Sequence, residues 1–238
     1  MKINWGIIKF VIILGFVIGL FSFTGKRNQG RNLSKLKVEF VDERPPFITL
    51  NAVNKLLIVN HDSVKNIAKE HLVLMEMESR LLANTMIRDA QVFVTVDGVL
   101  GAKIEQREPL GRVAAQTHYY IDADGKKMPL SNVYTARVPL ITGNVEQLYD
   151  ELTQFLKKIN KDSFMKSSVI GLNVKNKNNI EVQLRNNDFK VLFGNTNNAE
   201  KKFMNLKAFY QKAKRDDLLS VYKAVDLRYG SQVVATKK

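Results

Sequence analysis

The chain has 238 residues, of which 45% are hydrophobic and 25% charged, and it carries a net charge of +14. That balance is too apolar for a disordered polymer, and the length suffices for a membrane segment plus one or two small domains. The absence of cysteine excludes a disulfide scaffold, a thiol nucleophile, a cysteine-ligated zinc and a lipid anchor attached through Cys.

The first element is apolar. From Trp5 to Phe23 the chain is almost unbroken Ile, Val, Leu, Phe and Gly, with Lys9 as its only charge. As a helix that stretch would span about 28 Å, close to the ~30 Å hydrocarbon core of a bilayer. Lys9 lies one turn in, from where a lysine can snorkel to the interface. Ser22-Phe23-Thr24 is a poor small-x-small cleavage site, so the stretch reads as a retained transmembrane helix (5–23) behind a short cytoplasmic tail (1–4). The flanking bases nearly balance, Lys2 and Lys9 against Lys26, Arg27 and Arg31. A tail this short and a remainder this long place the N-terminus in the cytoplasm and the domains outside it. Residues 24–33 are polar and rich in Gly, Asn and bases, as a linker is.

A first domain is expected over residues 34–112. Lys35 to Val41 alternates, with Leu36, Val38 and Phe40 on one face of a strand, and Pro45-Pro46 ends it. Thr49 can cap a helix with Leu50, Val53 and Leu57 on one side. Leu72, Met75, Leu82 and Met86 mark a second helix ending near Asn84. Val92 to Val96, Asp97-Gly98 and a run through Ile104 form a hairpin, since Asp-Gly between two alternating strands is a strong turn signal. The order is β-α-α-β-β, with a core of Leu36, Val38, Val53, Leu57, Leu82, Val92 and Val94.

A second, β-rich domain is expected over 113–238. Tyr119-Tyr120-Ile121 runs into the turn Asp122-Ala123-Asp124-Gly125. Asn144 can cap a helix in which Val145, Leu148, Tyr149, Leu152, Phe155, Leu156 and Ile159 follow the helical period. Strands at Ile170–Val174, Ile180–Leu184 and Phe189–Phe193, separated by Asn-rich turns, read as an antiparallel meander. A basic amphipathic helix with Phe203, Leu206, Tyr210 and Ala213 follows. A strand ending Asp226-Leu227-Arg228-Tyr229, a Gly230-Ser231 turn and a last strand from Gln232 to Thr236 complete the pattern. The whole is an α+β chain with one N-terminal transmembrane helix.

Chemistry is sparse. His61, His71 and His118 share no metal-ligand spacing. Ser34-Lys37 and Ser163-Lys166 fit Ser-x-x-Lys but lack the Lys-Thr-Gly and Ser-Asp-Asn partners of penicillin-interacting enzymes. No phosphate loop, nucleophile elbow or His-Glu-x-x-His occurs. Asp122 and Asp124 could form a carboxylate pair, though beside Gly125 a turn explains them with fewer assumptions. The bases are spread out and not interleaved with aromatics, which disfavours nucleic acid. Lys201, Lys202, Lys207, Lys212, Lys214 and Arg215 make a solvated helix face, or else a surface for an acidic partner or lipid headgroups. No enzyme, cofactor, metal or small-molecule substrate is expected.

Several local stretches resemble the bacterial FtsQ/DivIB cell-division family. Met77-Glu78 to Asn84, followed by Ile87-Arg88-Asp89-Ala90-Gln91-Val92, is similar to its helix-to-strand segment, and Ile104-Glu105-Gln106-Arg107-Glu108-Pro109 to the strand leaving its POTRA domain. Tyr120-Ile121-Asp122-Ala123-Asp124-Gly125 resembles the opening of its second domain, Pro139-Leu140-Ile141-Thr142-Gly143 its Leu-Pro-x-x-x-Gly step, and Val225-Asp226-Leu227-Arg228-Tyr229 the run near its end. The chain departs from the family in having Gln106 where Glu is frequent, Gly111 where Ala is usual, and almost no cytoplasmic tail. The resemblance implies a POTRA-like first domain and a non-enzymatic inner-membrane scaffold at the septum. That scaffold would work beside FtsB-like and FtsL-like proteins in the control of septal wall synthesis. It also implies that the last strand offers its edge to an FtsB-like segment, with Arg228, Tyr229 and Ser231 at the contact and Val233 and Val234 along the strand. Other readings are a POTRA-bearing component of secretion or outer-membrane assembly, and a membrane-anchored wall hydrolase.

Overall fold

In the computed structural model residues 5–29, 33–58, 73–230 and 232–238 are described. The tail 1–4, the end of the predicted linker (30–32), Leu72, His61, His71 and Ser231 lie outside them. Helix α1 runs from Trp5 to Gln29. It continues past Phe23 and takes in the first part of the predicted linker. The large side chains described along it, from Trp5 and Phe10 to Phe21 and Phe23, are exposed. Among the described residues no helix is long and apolar enough to cross a membrane.

The chain divides into two compact units, Met1–Gln106 and Arg107–Lys238. The globular part of the first has β1 (Lys35–Phe40), α2 (Leu50–Leu57), α3 (Leu74–Leu82), β2 (Ile87–Val94) and β3 (Val99–Gln106). That is the β-α-α-β-β order read from the sequence. Its sheet order is β1-β3-β2, with β1 parallel and β2 antiparallel to the central β3. Thr49 caps α2, its side chain accepting from the Ala52 amide at 3.1 Å. In the hairpin the turn centres on Val96-Asp97, closed by the Gly98 amide on the Thr95 carbonyl at 3.0 Å. Gly98 follows at φ 82°, a conformation that costs a residue without Cβ little.

The core of this unit includes Val53, Leu57, Met77, Leu81, Val92, Leu100 and Ile104, with Leu36, Val38 and Val94 packed against it. Here α3 departs from the expected face. Leu82 and Met75 are exposed, and Met77 and Leu81 are buried in their place. Adjacent leucines at 81 and 82 satisfy two helical phases equally well. Packing on β2 selects the phase that also lets Glu78 accept the Val92 amide at 2.8 Å. Leu50 is likewise exposed at the start of α2. Gln106, 1% exposed, accepts the Phe47 amide at 2.7 Å and donates to Asp42 at 3.4 Å, which a Glu there could not do. Truncating Leu57→Ala is expected to cost this unit about 2–5 kcal/mol, measured as a shift in its unfolding midpoint. An unchanged midpoint would mean that the α2 face is misplaced.

The second unit is one nine-stranded sheet with helices packed on one face. Its elements are β4 (Pro109–Val113), β5 (Tyr119–Asp122), β6 (Lys127–Pro129), β7 (Leu140–Gly143), a 3-10 turn and α4 (Tyr149–Lys161), α5 (Ser163–Ser168), β8 (Val169–Asn176), β9 (Asn179–Leu184), β10 (Lys190–Gly194), α6 (Ala199–Arg215), β11 (Tyr222–Asp226) and β12 (Val234–Lys237). The order is β12-β11-β10-β9-β8-β7-β4-β5-β6. Strand β4, assigned from sequence to the first domain, pairs with β5 and β7, so the second unit begins at Arg107 and not after Arg112. The meander β8-β9-β10 is antiparallel as expected. Beyond it β11 returns through α6 to lie parallel to β10, and β12 folds back antiparallel onto β11. The α4 face is the expected one: Leu152, Phe155, Leu156 and Ile159 are buried. Asn144 does not cap α4; its side-chain amide donates to the Lys175 carbonyl at 3.0 Å instead.

Two sequence features acquire their reason here. Asp122 is 1% exposed; its Oδ1 accepts the Asp124 and Lys126 amides at 3.0 and 2.6 Å, and its Oδ2 accepts from Arg107 at 2.8 Å. The aspartate is thus a turn former, and it also joins two of the stretches that carried the resemblance. Lys202 of α6, 7% exposed, turns inward and donates to the carbonyls of Phe193 and Asn195 at 2.9 and 2.8 Å. Burial pulls its pKa down, while the charge of Asp226 acts to raise it.

Candidate partner-binding edge

The outer strand of the larger sheet decides where another chain could pair. Its two edges are β6 and β12. β6 has only three residues and ends in Pro129, which blunts it. In β12 the amide directions follow from the ladder. Lys238 donates to the Val221 carbonyl at 2.9 Å, and Leu227, on the far side of β11, donates to Leu192 at 3.0 Å. Alternation therefore turns the amides of Val234 and Thr236 toward β11 and those of Ala235 and Lys237 outward. The side chains alternate as well: Val233 packs against the core and Ala235 is half-buried, whereas Val234 and Thr236 are exposed. A proline at Val234 would thus break the pairing with β11, and a proline at Ala235 removes an outward donor.

Arg228 and Tyr229 stand in the loop between β11 and β12. Tyr229 is 53% exposed, and its carbonyl accepts the Gln232 amide at 2.9 Å. Arg228 is held by Asp226 at the end of β11: Nε lies 2.9 and 3.0 Å from the two carboxylate oxygens and Nη2 2.5 Å from Oδ2. The Arg228 amide also donates to Asp226 at 2.9 Å. Its stem passes over Gly194, where an added Cβ would sit 2.8 Å from Cγ. Of the expected site residues, Arg228, Tyr229, Val233 and Val234 are thus gathered at one end and one edge of the sheet. Sequence reading assigned nothing to Asp226 or Gly194. The Asp-x-Arg spacing was the available signal for the first, and the second shows only once β10 and β11 lie side by side.

The hydrogen bonds and charge of Arg228 hold the Asp226 carboxyl below its ordinary value, against the opposing effect of burial. A depressed carboxylate pKa adds stability above the unfolded value near 3.8, and that contribution is lost as pH falls through the folded value. The loop before β12 should therefore loosen only in strong acid. Hydrogen-exchange protection factors across residues 226–237 that already drop on acidification while the pH is still above 5 would contradict this.

The rest of the chemistry is structural. Lys127 lies 5.0 and 5.6 Å from the ring centres of Tyr119 and Tyr149 and bonds Glu146 at 2.9 Å. Burial, with the charges of Asp122, Glu146 and Asp150, pushes Tyr149 up to about 12. Ser163 and Lys166 are exposed on α5, and His118 is exposed with its Nδ1 3.4 Å from the Val113 carbonyl. No group of His, Asp and Glu suited to a metal occurs among the described residues.

Residues 108–236 match the family described as FtsQ/DivIB, C-terminal related, a stretch that spans the nine-stranded sheet from its first strand in sequence into its last. The chain belongs to that family. FtsQ/DivIB proteins are non-enzymatic cell-division proteins, which places this chain in cell division. The chain matches no curated protein.

Proposed function

We propose that the protein is a membrane-anchored scaffold of the division machinery that accepts an extended segment of an FtsB-like partner as an added strand on β12. The observation that carries this reading is the edge itself. Outward amides at Ala235 and Lys237 lie beside a half-exposed Tyr229 and an Arg228 already fixed in position. Other edges are less suited. The outward Val92 amide of β2 is taken by Glu78, and β1 carries the exposed charges Lys35, Lys37 and Glu39. Main-chain pairing supplies affinity in strand addition, and Tyr and Arg are frequent hot spots.

In the same reading the apolar stretch of α1 is the anchor, because its exposed Phe, Ile, Val and Leu side chains are better solvated by lipid than by water. The first unit is a POTRA-like domain, and both units lie outside the cytoplasm at the division site. An FtsL-like protein would join the same complex, which helps control septal wall synthesis.

The test is titration of the whole protein in detergent with a synthetic FtsB-like segment, with melting curves alongside. Tyr229→Ala is expected to weaken binding by about 2 kcal/mol or more while melting stays near wild type. Arg228→Glu and Ala235→Pro should weaken it too, whereas Gln232→Ala should matter little. Wild-type affinity in Tyr229→Ala, Arg228→Glu and Ala235→Pro together would place the partner elsewhere.

A further inference from the structure

The solvent side of α6 has no role in the edge. Phe203, Leu206 and Ala213 face the core, and Lys202 is drawn inside. The outward half then presents Lys201, Lys207, Lys212, Lys214 and Arg215, all exposed, over about 21 Å of helix. Among the described residues none of the four lysines has a carboxylate within ion-pair reach. Of the nearby acids, Glu200 is engaged by Lys158 of α4 at 3.0 Å and Asp216 by Arg215 at 3.5 Å, and Asp217, exposed just past the helix end, leaves the face with a clear excess of positive charge. Met204, 64% exposed, is the large apolar side chain of this face.

We infer that this face of α6 docks on anionic lipid headgroups. The lysines are long, exposed and held by no carboxylate among the described residues, so they form no pocket for a particular small anion. A plane of phosphates accepts such cations in any arrangement, and a single methionine is too little to anchor a protein partner. The proposal rests on the reading of α1 as an anchor, since a tether raises the local concentration of the bilayer around the domain.

The experiment separates the two. The protein lacks cysteine, so Ala208→Cys on the exposed side of α6 takes a single environment-sensitive fluorophore. The full chain is mixed with vesicles of phosphatidylcholine alone, or of phosphatidylcholine with phosphatidylglycerol. Flotation with phosphatidylcholine alone reads the anchor. The fluorophore reads α6: a shift to an apolar, lipid-quenchable signal is expected only with phosphatidylglycerol. High salt should reverse it, and combined Lys201→Gln, Lys207→Gln, Lys212→Gln and Lys214→Gln should abolish it with flotation unchanged. A chain that fails to float with phosphatidylcholine would sink the anchor reading alone, because recruitment to phosphatidylglycerol still reports on α6. Identical signals on the two vesicle types would overturn the proposal. So would a response to soluble polyphosphate with none to phosphatidylglycerol, which would make the ligand a linear polyanion.

Discussion

Asp122→Ala should lower the stability of the second unit by about 3–5 kcal/mol, the usual result of leaving one member of a buried ion pair alone. The carboxylate is almost wholly buried and accepts three hydrogen bonds: one from the Arg107 guanidinium and two from the amides that close the β5–β6 turn. Removing it leaves Arg107, whose side chain is 13% exposed, with the longer 3.9 Å contact to Asp124 in place of the 2.8 Å bond. Asp122→Asn keeps an acceptor for the turn but loses the charge, so its effect should fall between wild type and alanine. The single tryptophan, Trp5, lies in α1, so urea titration is best followed by hydrogen exchange on peptides from residues 107–238. A midpoint for Asp122→Ala equal to wild type would show that the pair contributes nothing.

Phe155→Ala is the second large effect, again about 3–5 kcal/mol. Its ring lies 4.8 Å from that of Phe193 on β10 and 5.9 Å from that of Phe203 on α6, and Phe193 and Phe203 are 5.7 Å apart. Three rings from α4, the sheet and α6 therefore close on one another, and truncation of one leaves a cavity the other two cannot fill. Phe164, paired with Tyr210 at the margin and only partly buried, is the internal control and should cost much less as alanine. Equal losses at 155 and 164 would mean that the cluster relaxes around the gap.

What could be read from sequence was local. The alternation of Leu36, Val38 and Phe40, the Thr49 cap, the Asp97-Gly98 turn, the α4 stripe and the β8–β10 meander depend on residues near one another, and periodicity reports them. What escaped was set by partners far along the chain. Leu81 and Leu82 are equivalent until β2 chooses between them. Pro109 looks like the end of a strand until β7, some thirty residues on, pairs with β4. Nothing in a run of lysines marks Lys202 as the one that turns inward. At the candidate site, Arg228 and Tyr229 were visible through the resemblance, whereas the Asp226 clamp and the room left by Gly194 arise only once β11 lies beside β10.

The parallel pairing of β11 with β10 carries a further implication, for the order of assembly. Antiparallel neighbours can zip from a turn, but a parallel pair needs its crossover packed first. Strand β11 therefore has no place until α6 has docked, and β12, whose described ladder is to β11 alone, settles after both. The edge proposed for docking is therefore expected to be the last part of the domain to form. A partner that adds a strand there would pass over nascent or misfolded copies and engage only chains whose aromatic core has already closed.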